Sequence, residues 1–359
     1  MGKAQNITVA KGLQKQDSSG DQAAYCFRSF ASKHRAHICH YQLRNSLAAI
    51  SRSDIFYANR SRVYSTSLAS PSSQKLVMDL AKPQTSAANF RVTCLATSST
   101  SNLLFAGGFL GEYAMLSLDA ENSTQPTEGF VTHAYNGLVT HIETSVGRSS
   151  GLPQATFCSN DKKIRIYDAT TGRFTDCFSY AHAVNCSAVS TDSRLRILVG
   201  DSQDTCIITA ERGDVVINLH GHTDHAFACA WAPNGVNFAT GSQDGKTLVW
   251  DARNWSRPRA ALASTLSCPR SLHFADDNTL IVAECEDVVS VYNAGTFEKH
   301  HDIRFFGSIA GVAMLDGAAM LLVCVSRYPA AFLAGPLRVK RMTLHQPRSS
   351  RLPWISIEV

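Results

Sequence analysis

The chain has 359 residues, 44% hydrophobic and 18% charged, with 34 Lys and Arg against 29 Asp and Glu. No run of about eighteen apolar residues occurs, which excludes a membrane-spanning helix. Met1–Lys11 lacks the apolar core of a secretory signal, and Asn6 breaks the myristoylation pattern that Met1-Gly2 would begin. A composition rich in Ser, Thr, Gly and Ala suits many short strands joined by polar turns.

The positive charge is concentrated at the ends. Residues 1–39 and 336–359 are basic, while 40–335 is slightly acidic. Neither end shows periodicity, so 1–39 and 336–359 are expected to be flexible, unstructured basic tails. Such tails would touch nucleic acid only weakly. The eleven cysteines run from Cys26 to Cys324 with no C-x-x-C pair. A dispersed, odd set reads as reduced, packed thiols of a cytoplasmic or nuclear protein.

Ordered structure is expected from His40. His40–Ile50, Asp54–Tyr64 and Leu76–Leu80 read as short strands, followed by Leu103–Phe105 and Glu112–Leu118 around a Gly107-Gly108 turn. Leu138–Thr144 opens the next group, with an insertion over Ser145–Pro153, then Ala155–Cys158 and Lys163–Asp168. Val184–Val189, Leu195–Val199, Cys206–Thr209 and Val215–Leu219 follow.

The most completely patterned stretch is His220–Arg253, HGHTDHAFACAWAPNGVNFATGSQDGKTLVWDAR. Ala228, Ala230 and Ala232 alternate with Cys229 and Trp231, Asn234-Gly235 is a turn, and Leu248–Trp250 is a strand closed by Asp251. Leu272–Phe274, Leu280–Ala283 and Val288–Tyr292 continue the pattern, and Ile309–Leu315 with Leu321–Val325 ends it. The strand ends Tyr167, Thr209, Trp250 and Tyr292 are separated by 42, 41 and 42 residues.

That period and that stretch resemble the WD40 repeat, one four-stranded blade of a β-propeller. The resemblance implies an all-β, seven-bladed propeller over 40–335. Closure of the ring calls for a strand from the early chain, near His40–Arg44 or slightly later. It also implies a hydrogen-bonded tetrad of His222, Thr240, Asp244 and Trp250, in which Trp250 donates to Thr240 and His222 bridges Thr240 to Asp244. The segments HYQLRN (His40–Asn45), RSSGLPQATFCSND (Arg148–Asp161), VNCSAVSTDSRLRILVGD (Val184–Asp201), GHTDHAFACAWA (Gly221–Ala232) and FFGSIAGV (Phe305–Val312) further resemble a fungal family of WD40 proteins of unassigned function.

His220, His222 and His225 with Asp224 have the look of a zinc cluster. His222 is already engaged in the tetrad, so no metal and no cofactor is expected. Gly107, Gly108 and Gly111 lack the Gly-Lys-Ser/Thr of a phosphate loop. No carboxylate pair or nucleophile–His arrangement stands out, so an enzyme with a site at the channel mouth is the less favoured reading. The favoured function is a non-catalytic scaffold for protein partners, a monomer within a complex.

Its contact candidates on the rim where inner strands begin are His182, Val184, His225, Phe227, Gln243 and Arg270. Trp250-Asp251-Ala252-Arg253 matches the WDxR pattern of propellers that resemble substrate receptors of cullin-4 ubiquitin ligases. There Arg253 would be the adaptor contact.

Overall fold

The computed structural model describes residues 26–29, 36–84, 89–119, 125–276, 278–315, 320–325 and 356–358. The described residues form strands and turns, with no helix.

After β1 (Cys26–Ser29), the strands come in fours. β2 (Leu47–Ala49), β3 (Ile55–Asn59), β4 (Arg62–Thr66) and β5 (Lys75–Asp79) make the first antiparallel sheet. The second holds β6 (Val92–Ser98), β7 (Leu103–Gly108), β8 (Glu112–Ser117) and β9 (Thr127–Phe130). The third holds β10 (Val139–Val146), β11 (Pro153–Ser159), β12 (Lys163–Asp168) and β13 (Arg173–Ser179). The fourth is β14 (Val184–Val189), β15 (Leu195–Gly200), β16 (Thr205–Thr209) and β17 (Val215–Leu219). The fifth is β18 (Ala226–Trp231), β19 (Asn237–Ser242), β20 (Lys246–Asp251) and β21 (Ala260–Ala263). The last strands are β22 (Pro269–Asp276), β23 (Thr279–Glu284), β24 (Glu286–Asn293), β25 (Lys299–Leu315), β26 (Met320–Val325) and β27 (Ser356–Glu358).

The expected seven blades resolve among the described residues as six sheets. Strands β22 to β27 and β1 are joined in one seven-stranded sheet. The cause is β25, a single strand with no turn inside it. Its first part pairs with β24 as far as Ser308, opposite Glu286, and from Ile309 it pairs with β26. Gly307, at φ 128, supplies the bend where the partner changes.

The early chain meets this sheet slightly after His40–Arg44, where Asn45 bridges Gly311 of β25, and a further early strand, β1, joins it through β27. Both β1 and β27 fall inside the segments expected as tails. The other residues of 1–35 and of 326–359 lie outside the described residues.

The strands first in their sheets adjoin in turn, β2, β6, β10, β14, β18, β22, then the second part of β25, which returns to β2. Ser46 N–H donates to Ala310 O at 3.0 Å across that closure. These strands and the second and third strands of each sheet are mostly buried, whereas β13 and β17 are largely exposed. Stacked faces make the core: Leu104, Ala106 and Phe90 pack against Phe56 and Ala58, and Phe238 and Trp250 against Ile197 and Ile207.

A β-bulge recurs at one position of six inner strands. Pairing slips between Val92 and Cys94, Val139 and His141, Val184 and Cys186, Ala226 and Ala228, Pro269 and Ser271, and Ile309 and Gly311. The bypassed residues are Thr93, Thr140, Asn185, Phe227, Arg270 and Ala310. A bulge re-aims its extra residue out of the ladder, here toward the neighbouring sheet. Thr93 Oγ1 donates to Val139 O at 2.6 Å, Thr140 Oγ1 to Val184 O at 2.5 Å, and Asn185 Nδ2 to Ala226 O at 3.1 Å. Each acceptor immediately precedes the next bulge.

Candidate binding face

His222 sits in the loop before β18, Thr240 on β19, Asp244 in the β19–β20 turn and Trp250 on β20. Trp250 Nε1 donates to Thr240 Oγ1 at 3.1 Å. His222 lies between Thr240 Oγ1 and Asp244 Oδ2, with its two ring nitrogens each 3.0 Å from one of them. Asp244 also accepts the N–H of Thr223 and of Lys246. Burial pushes the His222 pKa down against the pull of Asp244. Burial alone would raise Asp244, but the Thr223 N–H and His222 overcome it and hold the carboxyl low. The four groups tie the second and third strands of one sheet to the loop entering it, a structural role.

The neighbouring histidines part company. His220 Nδ1 is 2.6 Å from Asp204, and His225 Nδ1 is 3.9 Å from Asp201. Three histidines on three different carboxylates do not converge on one centre. Among the described residues no group of three or more His, Cys, Asp or Glu is placed to hold a metal ion.

The rim candidates divide. His182, His225 and Gln243 are exposed, but Val184, Phe227 and Arg270 are buried. The reading of Phe227 and Arg270 as an exposed contact patch is corrected here. Both are bulge residues turned toward each other, with the Arg270 guanidinium 3.9 Å from the Phe227 ring centre. Arg270 Nη2 also donates to Gln243 Oε1 at 3.1 Å.

Exposed apolar groups at this end of the channel come instead from residues the sequence did not single out. Tyr41 precedes β2, Leu110 lies in the β7–β8 turn, Tyr135 precedes β10 and Leu266 precedes β22. Tyr41 is 74% exposed, Leu266 63%, and Tyr135 fully. All four loops open on the face where the inner strands begin. The nearest sequence signal is an apolar or aromatic residue within a polar loop, which is common on any surface.

Arg253 is on the opposite face, past the far end of β20. It is exposed, and its Nε and Nη2 fork onto Asp251 at 2.9 and 2.7 Å. That fork, led by the Arg253 side-chain hydrogen bond, lowers the Asp251 pKa to about 2. The same face carries a cleft of about 220 Å³ lined by Arg148, Ser149, Gln154, Asp176 and Glu211. Its Glu211 carboxylate is occupied by the Ser149 N–H and hydroxyl.

The family model described as "WD domain, G-beta repeat" matches residues 213–251. An uncharacterized protein of Schizosaccharomyces pombe is 25% identical over 277 residues, covering 73% of this chain and 75% of that protein. The guanine nucleotide-binding protein subunit beta of Zea mays is 27% identical over 186 residues, covering 45% of this chain and 48% of its own. Among solved structures, a chain of the "Crystal Structure of Mitotic Checkpoint Complex" matches with a TM-score of 0.69 at 15% identity, covering 94% of this chain and 98% of that one. The chain carries a WD40 repeat over residues 213–251, has a β-propeller fold, and is similar to an uncharacterized fungal protein and to beta subunits of guanine nucleotide-binding proteins.

Proposed function

We propose that this chain is a non-catalytic scaffold that holds a protein partner on the face where its inner strands begin. The observation that carries the reading is the display of Tyr41, Leu110, Tyr135 and Leu266 on four separate loops of that face. Large side chains held apart on a rigid ring are the anchors of a protein interface, and Tyr is over-represented among them. Exposed His182, His225 and Gln243 supply polar contacts beside them. Relatives named as the beta subunit of a guanine nucleotide-binding protein support a role within an assembly. The ring also accommodates a seven-blade reading, with β22–β24 and the first part of β25 as one set and the rest of β25, β26, β27 and β1 as another. The scaffold acts as a monomer in a complex, in the cytoplasm or nucleus.

The test is co-purification of partners with the wild type, a Tyr41→Ser/Tyr135→Ser/Leu266→Ser variant and Arg253→Ala, each checked for unchanged melting. Loss of partners from the triple variant is the expected result. Retention of all partners by the triple variant and loss of one by Arg253→Ala would replace this reading with that of a ligase substrate receptor.

A further inference from the structure

Pro269 of β22 pairs with Glu284 of β23, and one step further out Cys268 stands opposite Cys285. The Cys285 N–H donates to Cys268 O at 2.9 Å. Directly opposed residues of an antiparallel hydrogen-bonded pair have Cα atoms about 5.5 Å apart with side chains on one face. That is inside the range of about 4.4–6.8 Å that a disulfide spans. Both thiols are free and only partly buried, at the same channel mouth as Leu266.

Two guanidinium groups border this pair. Arg44 and Arg270 are 6% and 7% exposed. Arg44 Nη1 is spent on the carbonyls of Tyr41 and Leu43. Arg44 Nε and Arg270 Nε and Nη1 are buried N–H groups without a hydrogen-bond partner. Buried cations with unsatisfied donors favour an anion beside them. After burial, which lowers both arginines, the largest charge influence on Arg44 is Cys285 and on Arg270 is Cys268, followed by Cys285.

We propose that Cys268 and Cys285 form a redox-active dithiol that hydrogen peroxide converts to a cross-strand disulfide. The Cys285 thiolate attacks the peroxide. An S–O bond forms, the O–O bond breaks, and hydroxide leaves to take up a proton as water. Cys268, losing its proton, attacks the sulfenic sulfur. The S–S bond forms and the S–O bond breaks, and the departing hydroxide becomes a second water. Two thiols are oxidised and one peroxide is reduced to two waters. Reactive cysteines of this kind are thiolates with some access and a resolving neighbour.

The electrostatics agree. The Cys268 hydrogen bond, then that of Ser267 and the charges of Arg44 and Arg270, bring the Cys285 pKa to about 6 against the opposing effect of burial, while the same pairing pushes Cys268 up. Acidic groups face this cluster from three sides: Glu286 near Arg44, Asp224 near Arg270, and Glu284, which accepts the Ser267 N–H.

Cys186 and Cys229 also interact but are buried, and Cys177 is exposed.

The full-length protein is treated with graded hydrogen peroxide, blocked with N-ethylmaleimide, digested and read by mass spectrometry. The expected result is a joined Cys268–Cys285 peptide, two hydrogens lighter, formed before other cysteines react and reversed by dithiothreitol. In Cys268→Ser, dimedone should add to Cys285. Iodoacetamide labelling of Cys285 should rise with a midpoint near pH 6 rather than near about 8.5. Arg44→Gln should move that midpoint upward. Oxidation of Cys177 with 268 and 285 still reduced, or a Cys285 midpoint above 8 in the wild type, overturns the proposal. The last readout needs no variant to fold.

Discussion

Arg270 lays its guanidinium over the ring of Phe227, 3.9 Å from the ring centre, at the junction of two neighbouring sheets. Both are bulge residues, at the positions that Thr93, Thr140 and Asn185 occupy in earlier sheets. Those three cross to the next sheet with a hydrogen bond to a carbonyl. Phe227 has no donor, so its junction is made by a cation on an aromatic face, a contact worth up to about 2 kcal/mol when desolvated. Phe227→Ala should cost about 3–5 kcal/mol, from the cavity and the stranded cation together. Phe227→Leu should cost clearly less, since volume remains and only the π face is lost. Urea unfolding of the three proteins measures this, and a Phe227→Leu protein as stable as the wild type would rule out a role for the ring's π face.

Trp250 is 1% exposed and donates to Thr240, which is fully buried. Trp250→Ala should lose about 3–5 kcal/mol by leaving a cavity and removing the donor. Trp250→Phe keeps most of the volume and loses mainly one hydrogen bond, about 1–2 kcal/mol. Thermal and urea melts check both. A Trp250→Ala protein with unchanged melting and a lost partner would make Trp250 a surface contact instead.

The tetrad was legible because its members lie within one repeat, 28 residues from His222 to Trp250, at offsets set by local turns. The equivalence of Phe227 and Arg270 was legible for the same reason. Their burial was not. A residue at the start of an inner strand faces solvent or a neighbour according to whether a bulge precedes the ladder, and Phe227 or Arg270 reads alike in either case. The β1–β27 pairing was hidden because CFRS and SIE are too short to show alternation. The long strand β25 was hidden because its two parts pair with different strands on either side of Gly307, and no local pattern links them. Glu143 and Arg196 escaped because their contact crosses two sheets and no local pattern records it.

That contact joins β10 to β15. Arg196 is fully buried and its Nη1 bonds Glu143, which also accepts from Ser187 Oγ at 3.2 Å and Val189 N–H at 2.6 Å. Glu143→Gln should cost about 3–5 kcal/mol, because a buried guanidinium loses its counter-charge. Replacing both partners, Glu143→Gln with Arg196→Met, removes the stranded charge and should cost less than the sum of the single changes. A double-mutant cycle on unfolding free energies measures the coupling. Additive losses would show that the pair contributes no interaction of its own.

His273, on inner strand β22, gives a pH signature. Burial lowers its pKa from 6.5 to about 4, and its Nε2 lies 2.9 Å from Ser271 Oγ. Cys186, His141 and the Val312 backbone face it from neighbouring strands. The unfolded chain takes up the proton first as pH falls, so this residue's contribution is whole above pH 6.5 and shrinks from there down to about pH 4. His222, also lowered, works in the same direction. His141 is raised, against its own burial, by Cys186 and Cys158, and works in the opposite direction. A whole-protein profile therefore mixes signs, and the variant isolates one. Between pH 7 and 4.5 the wild type should lose about 2–3 kcal/mol more than His273→Asn. Urea midpoints at the two pH values, combined with each protein's slope, give the comparison. Parallel losses in the two proteins would mean that His273 takes up its proton in the folded channel at an ordinary pH.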